Sequence, residues 1–135
     1  MIVLDCSAAV EIARGTVRGS AYRMLMMEGE PAIASDLFRA EVRNAFWRYV
    51  RAKMMSVDEA EVLIEKALGL VDEFVPLEKN AAESFAEAAR QGHPVYDLLY
   101  VTLARRNVAT LFTADRKLAV LCERMGVNCV CEMEL

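Results

Sequence analysis

Hydrophobic positions along the chain fall into two kinds of run. Short blocks carry no polar alternation: Ile2-Val3-Leu4, Ala32-Ile33-Ala34, Phe74-Val75, Thr110-Leu111-Phe112 and Val127 to Val130. Longer stretches return their apolar residues at helical spacing. Blocks without alternation read as strands buried on both faces. The stretches between them read as helices, and their ends are marked. Ser7 is a cap for a helix of about two turns that Gly15 stops. A second helix runs from about Val17 to Glu28, with Gly29 after it. Ser35 or Asp36 caps a long helix reaching about Lys53, and Ser56 starts another with Asp58 and Glu59 in its first turn. Asn80 to Gln91 is a helix closed by Gly92, Tyr96 to Asn107 is a nearly all-apolar one, and Lys117 to Met125 is closed by Gly126. Such alternation predicts an α/β fold with a parallel sheet covered on both faces and joined by right-handed crossovers. Ligands of such sheets lie beyond the carboxyl ends of the strands, so the residue after each strand is the place to look for chemistry.

Composition narrows the class. The chain has 135 residues, 56% of them hydrophobic, with no internal repeat or low-complexity linker, so one domain over residues 1–135 is expected. No apolar run approaches the ~18 residues of a membrane span, and the first residues lack a signal peptide's basic region, so a cytoplasmic protein is expected. Cys6, Cys122, Cys129 and Cys131 form no paired metal framework and are expected to be reduced thiols. The formal net charge of −4 excludes a general basic coat for nucleic acid, but an acidic pocket holding divalent metal can still face phosphate.

Four carboxylates stand out. Asp5 follows the first strand and Asp115 the fourth, so both belong at one sheet edge if the two strands are neighbours. Each could equally be a helix cap: Asp115 before Arg116-Lys117-Leu118 fits that role well, while at Asp5 the cap is already available from Ser7. Glu41 shares a helical stripe with Leu37, Ala45 and Tyr49, where a carboxylate is desolvated unless a cation or donor meets it, and Asn44 is within reach to donate. Asp97 opens the all-apolar helix, where the dipole also stabilises it. One pocket holding all four would repel itself unless a divalent cation neutralised it. All-oxygen ligation suits Mg²⁺ or Mn²⁺, and the chemistry that follows is phosphodiester hydrolysis.

These motifs resemble the PIN-domain family, and within it the VapC-type toxins of toxin–antitoxin modules. Ile2-Val3-Leu4-Asp5-Cys6-Ser7-Ala8, Leu37 with Glu41, Asn44 and Ala45, Val95-Tyr96-Asp97-Leu98-Leu99-Tyr100, and Thr113-Ala114-Asp115-Arg116-Lys117-Leu118 are similar to the family's four acidic motifs, in order, over essentially the whole chain. The resemblance implies a three-layer α/β/α sandwich around about five parallel strands and Mg²⁺- or Mn²⁺-dependent endoribonuclease activity. It implies metal ligation by Asp5, Glu41 and Asp97, with Asp115 on a second metal or acting through water. It implies supporting donors at Ser7, Asn44 and Thr113. It also implies a homodimer silenced by a VapB-like antitoxin. Two departures from the family pattern, Cys6 after Asp5 and no proline before Leu37, touch no expected ligand.

Among the cations, Arg39, Arg43, Arg48 and Arg51 lie on the Glu41 helix, and most read as solvated faces; Arg43 and Arg116 are the expected RNA contacts because each neighbours an expected ligand. Met24, Met26, Met27, Met54 and Met55 offer an adaptable partner surface or core filling. Phe46 and Trp47 read as core or interface, and His93, between Gly92 and Pro94, as surface loop. A catalytically silent subunit of the same fold is the alternative, disfavoured because all four acidic positions are filled. Receiver and dehalogenase-like phosphotransfer folds need an acidic pair or Asp-x-Asp at the first strand, where this chain has Asp5-x-Ser7.

Overall fold

The computed structural model describes residues 1–26 and 29–132. The first strand, β1 (Ile2–Leu4), is buried throughout and ends at Asp5. It is followed by α1 (Cys6–Arg14) and α2 (Val17–Met26), then β2 (Ala32–Ser35), α3 (Phe38–Arg51), α4 (Val57–Leu68) and β3 (Glu73–Val75). A 3₁₀ turn at Leu77–Lys79 leads into α5 (Ala81–Gln91) and α6 (Val95–Asn107), then β4 (Thr110–Phe112), α7 (Arg116–Met125) and β5 (Cys129–Val130).

The five strands form one sheet in the order β3-β2-β1-β4-β5, every pair parallel. From β1 the chain steps outward to β2 and β3, then returns across the sheet to β4 and steps the other way to β5. With right-handed crossovers, those opposite directions put α1–α4 on one face and α5–α7 on the other. The packing agrees: α1 meets α2, α3 and α4, while α6 meets α5 and α7 and lies across β1, β2 and β4. The expected three-layer α/β/α sandwich is therefore what the chain forms. Leu98 to Ala104 of α6 are all buried, which explains why that helix shows no polar face.

Several predicted ends shift, each for a local reason. The α1 cap is Asp5, not Ser7: the Asp5 carboxylate accepts from the Ala8 N–H at 2.9 Å. Ser35 and Asp36 do not cap α3, which begins at Phe38. The Asp36 carboxylate accepts from the Leu77 N–H and its own N–H reaches Val75, so it ties β2 to the exit of β3. The last strand is shorter than predicted because the Val127 N–H closes α7 on the Cys122 carbonyl. The predicted end of the second helix, Met27 and Glu28, lies outside the described residues. Gly15 and Gly126 adopt left-handed conformations, φ 70° at each, and end their helices as predicted. Among the described residues no helix is long and apolar enough to cross a membrane.

Candidate active site

The sheet reverses its direction of winding between β1 and β4, the point where a crevice opens at the carboxyl edge. The β1–β4 register pairs Leu4 with Phe112, so the next residues, Asp5 and Thr113, stand side by side. Thr113 Oγ1 donates to Asp5 Oδ2. Ser7 Oγ donates to the same carboxylate, 2.8 Å from Oδ1 and 3.0 Å from Oδ2. Both hydroxyls also accept backbone N–H groups of the next loop: Ser7 from Ala114 at 2.8 Å and Thr113 from Asp115 at 3.0 Å. Each hydroxyl thus holds the carboxylate with its hydrogen and the β4–α7 loop with its lone pair. The supporting role expected of Ser7 and Thr113 appears as one network joining two acidic loops.

All four carboxylates line one cleft of about 700 Å³. Asp5 is only 4% exposed, and burial pushes its carboxyl up to about 7 despite three donors that favour the charge. Glu41 and Asp97 are half-buried. Burial raises Glu41, with Asp97 adding to the rise; burial raises Asp97, with Asp115 adding. Glu41 in turn contributes to Asp5. The acids therefore feel one another in sequence around the cleft, Asp5 to Glu41 to Asp97 to Asp115. Asp115 is also the cap of α7, accepting from the Lys117 N–H at 2.9 Å. Among the described residues no three His, Cys, Asp or Glu side chains already stand grouped to hold a metal ion. Each carboxylate is turned to its own partner.

The donor expected at Asn44 is elsewhere. Glu41 Oε1 accepts from the Tyr100 hydroxyl, which arrives from α6 across the sandwich, while Asn44 is exposed on the cleft wall. Tyr100 stands one helical turn after Asp97, a spacing that could have marked it. Neither expected RNA contact lines the cleft. Arg43 is exposed and donates to the Arg39 carbonyl at 2.8 Å, and Arg116 is exposed on the neighbouring surface. The cleft cations are Arg48 and Arg18. Arg48 is two turns beyond Glu41 and so shares its face, whereas Arg43 does not. Arg18 is brought in by the α1–α2 crossing, where it pairs with Glu11 at 3.2 Å, and nothing in its local sequence signals that. His93 is not simply surface: its Nε2 lies 3.4 Å from Asp97 Oδ2. Of the residues expected in the core or at an interface, Phe46 is buried and Trp47 half exposed; Met24 and Met54 are exposed, and Met27 lies outside the described residues. The four cysteines are free.

The PIN-domain model matches residues 2–124. The ribonuclease VapC3 of Pyrobaculum aerophilum is 32% identical over 124 residues, covering 87% of this chain and 92% of that protein. The ribonuclease VapC12 of Mycobacterium tuberculosis is 34% identical over 122 residues, 88% and 90% of the two. Among solved structures, PAE2754 from Pyrobaculum aerophilum superposes with a TM-score of 0.65 at 25% identity, covering 88% of this chain and 84% of its own. A chain of the Rickettsia felis VapBC2 structure, solved with a promoter DNA fragment, shares the fold with a TM-score of 0.66 at 14% identity, covering 98% and 100%. A match spanning nearly the whole chain, four acidic motifs in order and a five-stranded parallel sheet that carries them to one cleft lead to one assignment: the chain belongs to the PIN-domain family.

Proposed function

We propose that this PIN-domain chain is a metal-dependent endoribonuclease that hydrolyses RNA phosphodiester bonds at the acidic cleft that holds Asp5, Glu41, Asp97 and Asp115. The observation that carries the reading is one cleft lined by these four acids: burial pushes Asp5 up to about 7 and, with a neighbouring acid, raises Glu41 and Asp97, an arrangement that asks for a divalent cation. An oxygen-only donor set fits a hard cation, Mg²⁺ or Mn²⁺. Asp5, Glu41 and Asp97 would hold it, with Asp115 on a second ion or acting through water. The chemistry such an ion would supply when bound is polarisation of the phosphate, a lowered pKa for a bound water and stabilisation of the leaving oxygen. The chain's own groups do the rest. Ser7 and Thr113 hold Asp5 in orientation, and Tyr100 holds Glu41. Arg48 and Arg18, which line the cleft, would meet the phosphate of a strand lying in it. Asn44, exposed on the same wall, meets substrate rather than Glu41. By the same reading, with its relatives named as VapC ribonucleases, the chain is the cytoplasmic toxin of a toxin–antitoxin pair, acts as a homodimer and is silenced by a VapB-like antitoxin.

The test uses protein freed of any antitoxin and a pool of quenched-fluorophore RNA oligomers, in Mg²⁺, Mn²⁺ or EDTA, with wild type and Asp5→Asn. Cleavage that needs metal and vanishes in the variant is the expected result. Equal cleavage by both proteins would mean a contaminating nuclease. Metal binding without cleavage of any RNA offered would favour the silent PIN-fold subunit instead.

A further inference from the structure

The cleft is not the whole of the surface that suits RNA. One face of α7 carries Arg116, Lys117, Val120, Leu121 and Arg124, and with His93 these line a separate groove of about 320 Å³. Its floor is apolar, from the buried Leu121 and the half-exposed Val120, and its rim is basic. Among the described residues Arg116 and Lys117 are exposed and have no ion-pair partner, in a chain whose net charge is −4. Arg124 spends its Nη2 on the Gln91 carbonyl and Oε1, at 3.3 and 3.2 Å, which fixes its guanidinium at the far end. The groove starts where the cleft stops. Asp115 lines the cleft and the next residue, Arg116, lines the groove; Asp97 lines the cleft and its 3.4 Å neighbour His93 lines the groove.

We propose that this groove is a second RNA subsite, which takes the single-stranded segment flanking the phosphate held in the cleft. An unpaired strand offers phosphates to cations and bases to apolar or guanidinium surfaces, and the groove presents both, side by side. The division of labour is electrostatic. The cleft concentrates negative charge for the metal, which works against a polyanion, so cations set just outside it add to the hold that Arg48 and Arg18 give within it. The inference rests on the ribonuclease reading for its direction, since the groove is useful where it adjoins the cleft that cuts.

The experiment is RNA binding by fluorescence anisotropy, with a labelled single-stranded RNA oligomer and the Asp5→Asn protein in Mg²⁺, so that nothing is cut. KCl is varied from about 50 to about 200 mM. Arg116→Gln with Lys117→Gln removes two groove charges from exposed positions of a helix that tolerates Gln. A control, Arg23→Gln with Lys66→Gln, removes the same charge from exposed positions outside the groove. Circular dichroism checks that all are folded. The groove pair should weaken binding roughly tenfold at the lowest salt and flatten the log–log salt dependence by about 1.4, the loss of two single-strand phosphate contacts. The control pair should leave the slope as it is. Equal effects of the two pairs, no effect of the groove pair, or no RNA binding at all would overturn the proposal. RNA cut by wild type with a slope indifferent to the groove pair would sink this inference alone. Groove-dependent binding without cleavage by wild type would sink the nuclease reading alone.

Discussion

The most informative perturbation is Asp5→Asn, read as stability rather than activity. Burial takes the Asp5 carboxyl from 3.8 to about 7. An acid raised on folding holds its proton more tightly in the folded state. Between the two values the folded protein therefore binds more protons than the unfolded one, and stability falls as pH rises from about 4 to about 7, then levels. At about 1.4 kcal/mol for each tenfold change in proton affinity, the charged Asp5 costs the metal-free fold about 4 kcal/mol at pH 8. At pH 5 the cost is already about 1.7 kcal/mol, so about 2.5 kcal/mol accrues between pH 5 and pH 8. Asparagine keeps the cap, since Asn and Asp serve that position about equally, and the Ser7 and Thr113 hydroxyls can turn to accept from its amide. Any mismatch in those hydrogen bonds is the same at both pH values and drops out of the comparison. The assay is urea unfolding in EDTA, at fixed ionic strength, followed by far-UV circular dichroism. Relative to wild type, Asp5→Asn should gain about 2.5 kcal/mol of stability on going from pH 5 to pH 8. A difference between the two proteins that does not change with pH, or that moves against the variant as pH rises, would refute the claim that Asp5 is a desolvated charge awaiting a cation.

Other expectations follow from the same contacts. Mg²⁺ or Mn²⁺ at about 100 times its Kd should stabilise wild type by about 2.7 kcal/mol at pH 8 and far less at pH 5, where Asp5 is protonated, with little gain for Asp5→Asn; calorimetric melting reads this. Thr113→Val strips a donor from Asp5 and leaves the Asp115 N–H without its acceptor, so it should cost about 2 kcal/mol in urea and steepen the loss of stability with pH. Tyr100→Phe removes the hydroxyl that favours charged Glu41; the acid limb of the cleavage profile should move to higher pH, so that activity falls more at pH 6 than at pH 8. Gly19→Ala should cost several kcal/mol, read as a lowered melting temperature, because a Cβ there would sit 2.0 Å from the Glu11 carbonyl oxygen at the α1–α2 crossing.

The frame of the fold and the four acids were legible because they depend on short-range rules. Unalternating apolar blocks mark the strands, and the rule that ligands lie beyond strand ends points at Asp5 and Asp115. What was not legible depends on which elements meet. Ser7 reads as the cap because sequence does not distinguish a residue that holds the helix from one that holds the capping carboxylate. Tyr100 reaches Glu41 only because α6 lies across the middle of the sheet, 59 residues along the chain. Arg43 neighbours Glu41 in sequence, but helical periodicity puts Arg48, two turns on, at the cleft.

The winding of the sheet explains why the costly charges are tolerated at this place. From β1 the chain turns to one face and from β4 to the other, so the loops after these two adjacent strands diverge and leave the crevice between them. Nothing apolar can fill that crevice without blocking it. The residues at its rim must therefore be polar groups whose hydrogen bonds are satisfied from the loops themselves, which is what Ser7, Thr113 and the N–H groups of Ala8, Ala114 and Asp115 provide. That scaffold holds the Asp5 carboxylate in place but does not neutralise it. A neutral amide would keep the Ala8 N–H bond and, with the Ser7 and Thr113 hydroxyls turned to accept from it, avoid the electrostatic cost, so stability alone gives no reason for aspartate at position 5. The charge is accounted for only if something cationic binds there, and the pH dependence of Asp5→Asn stability measures how much of the fold's stability is set aside for it.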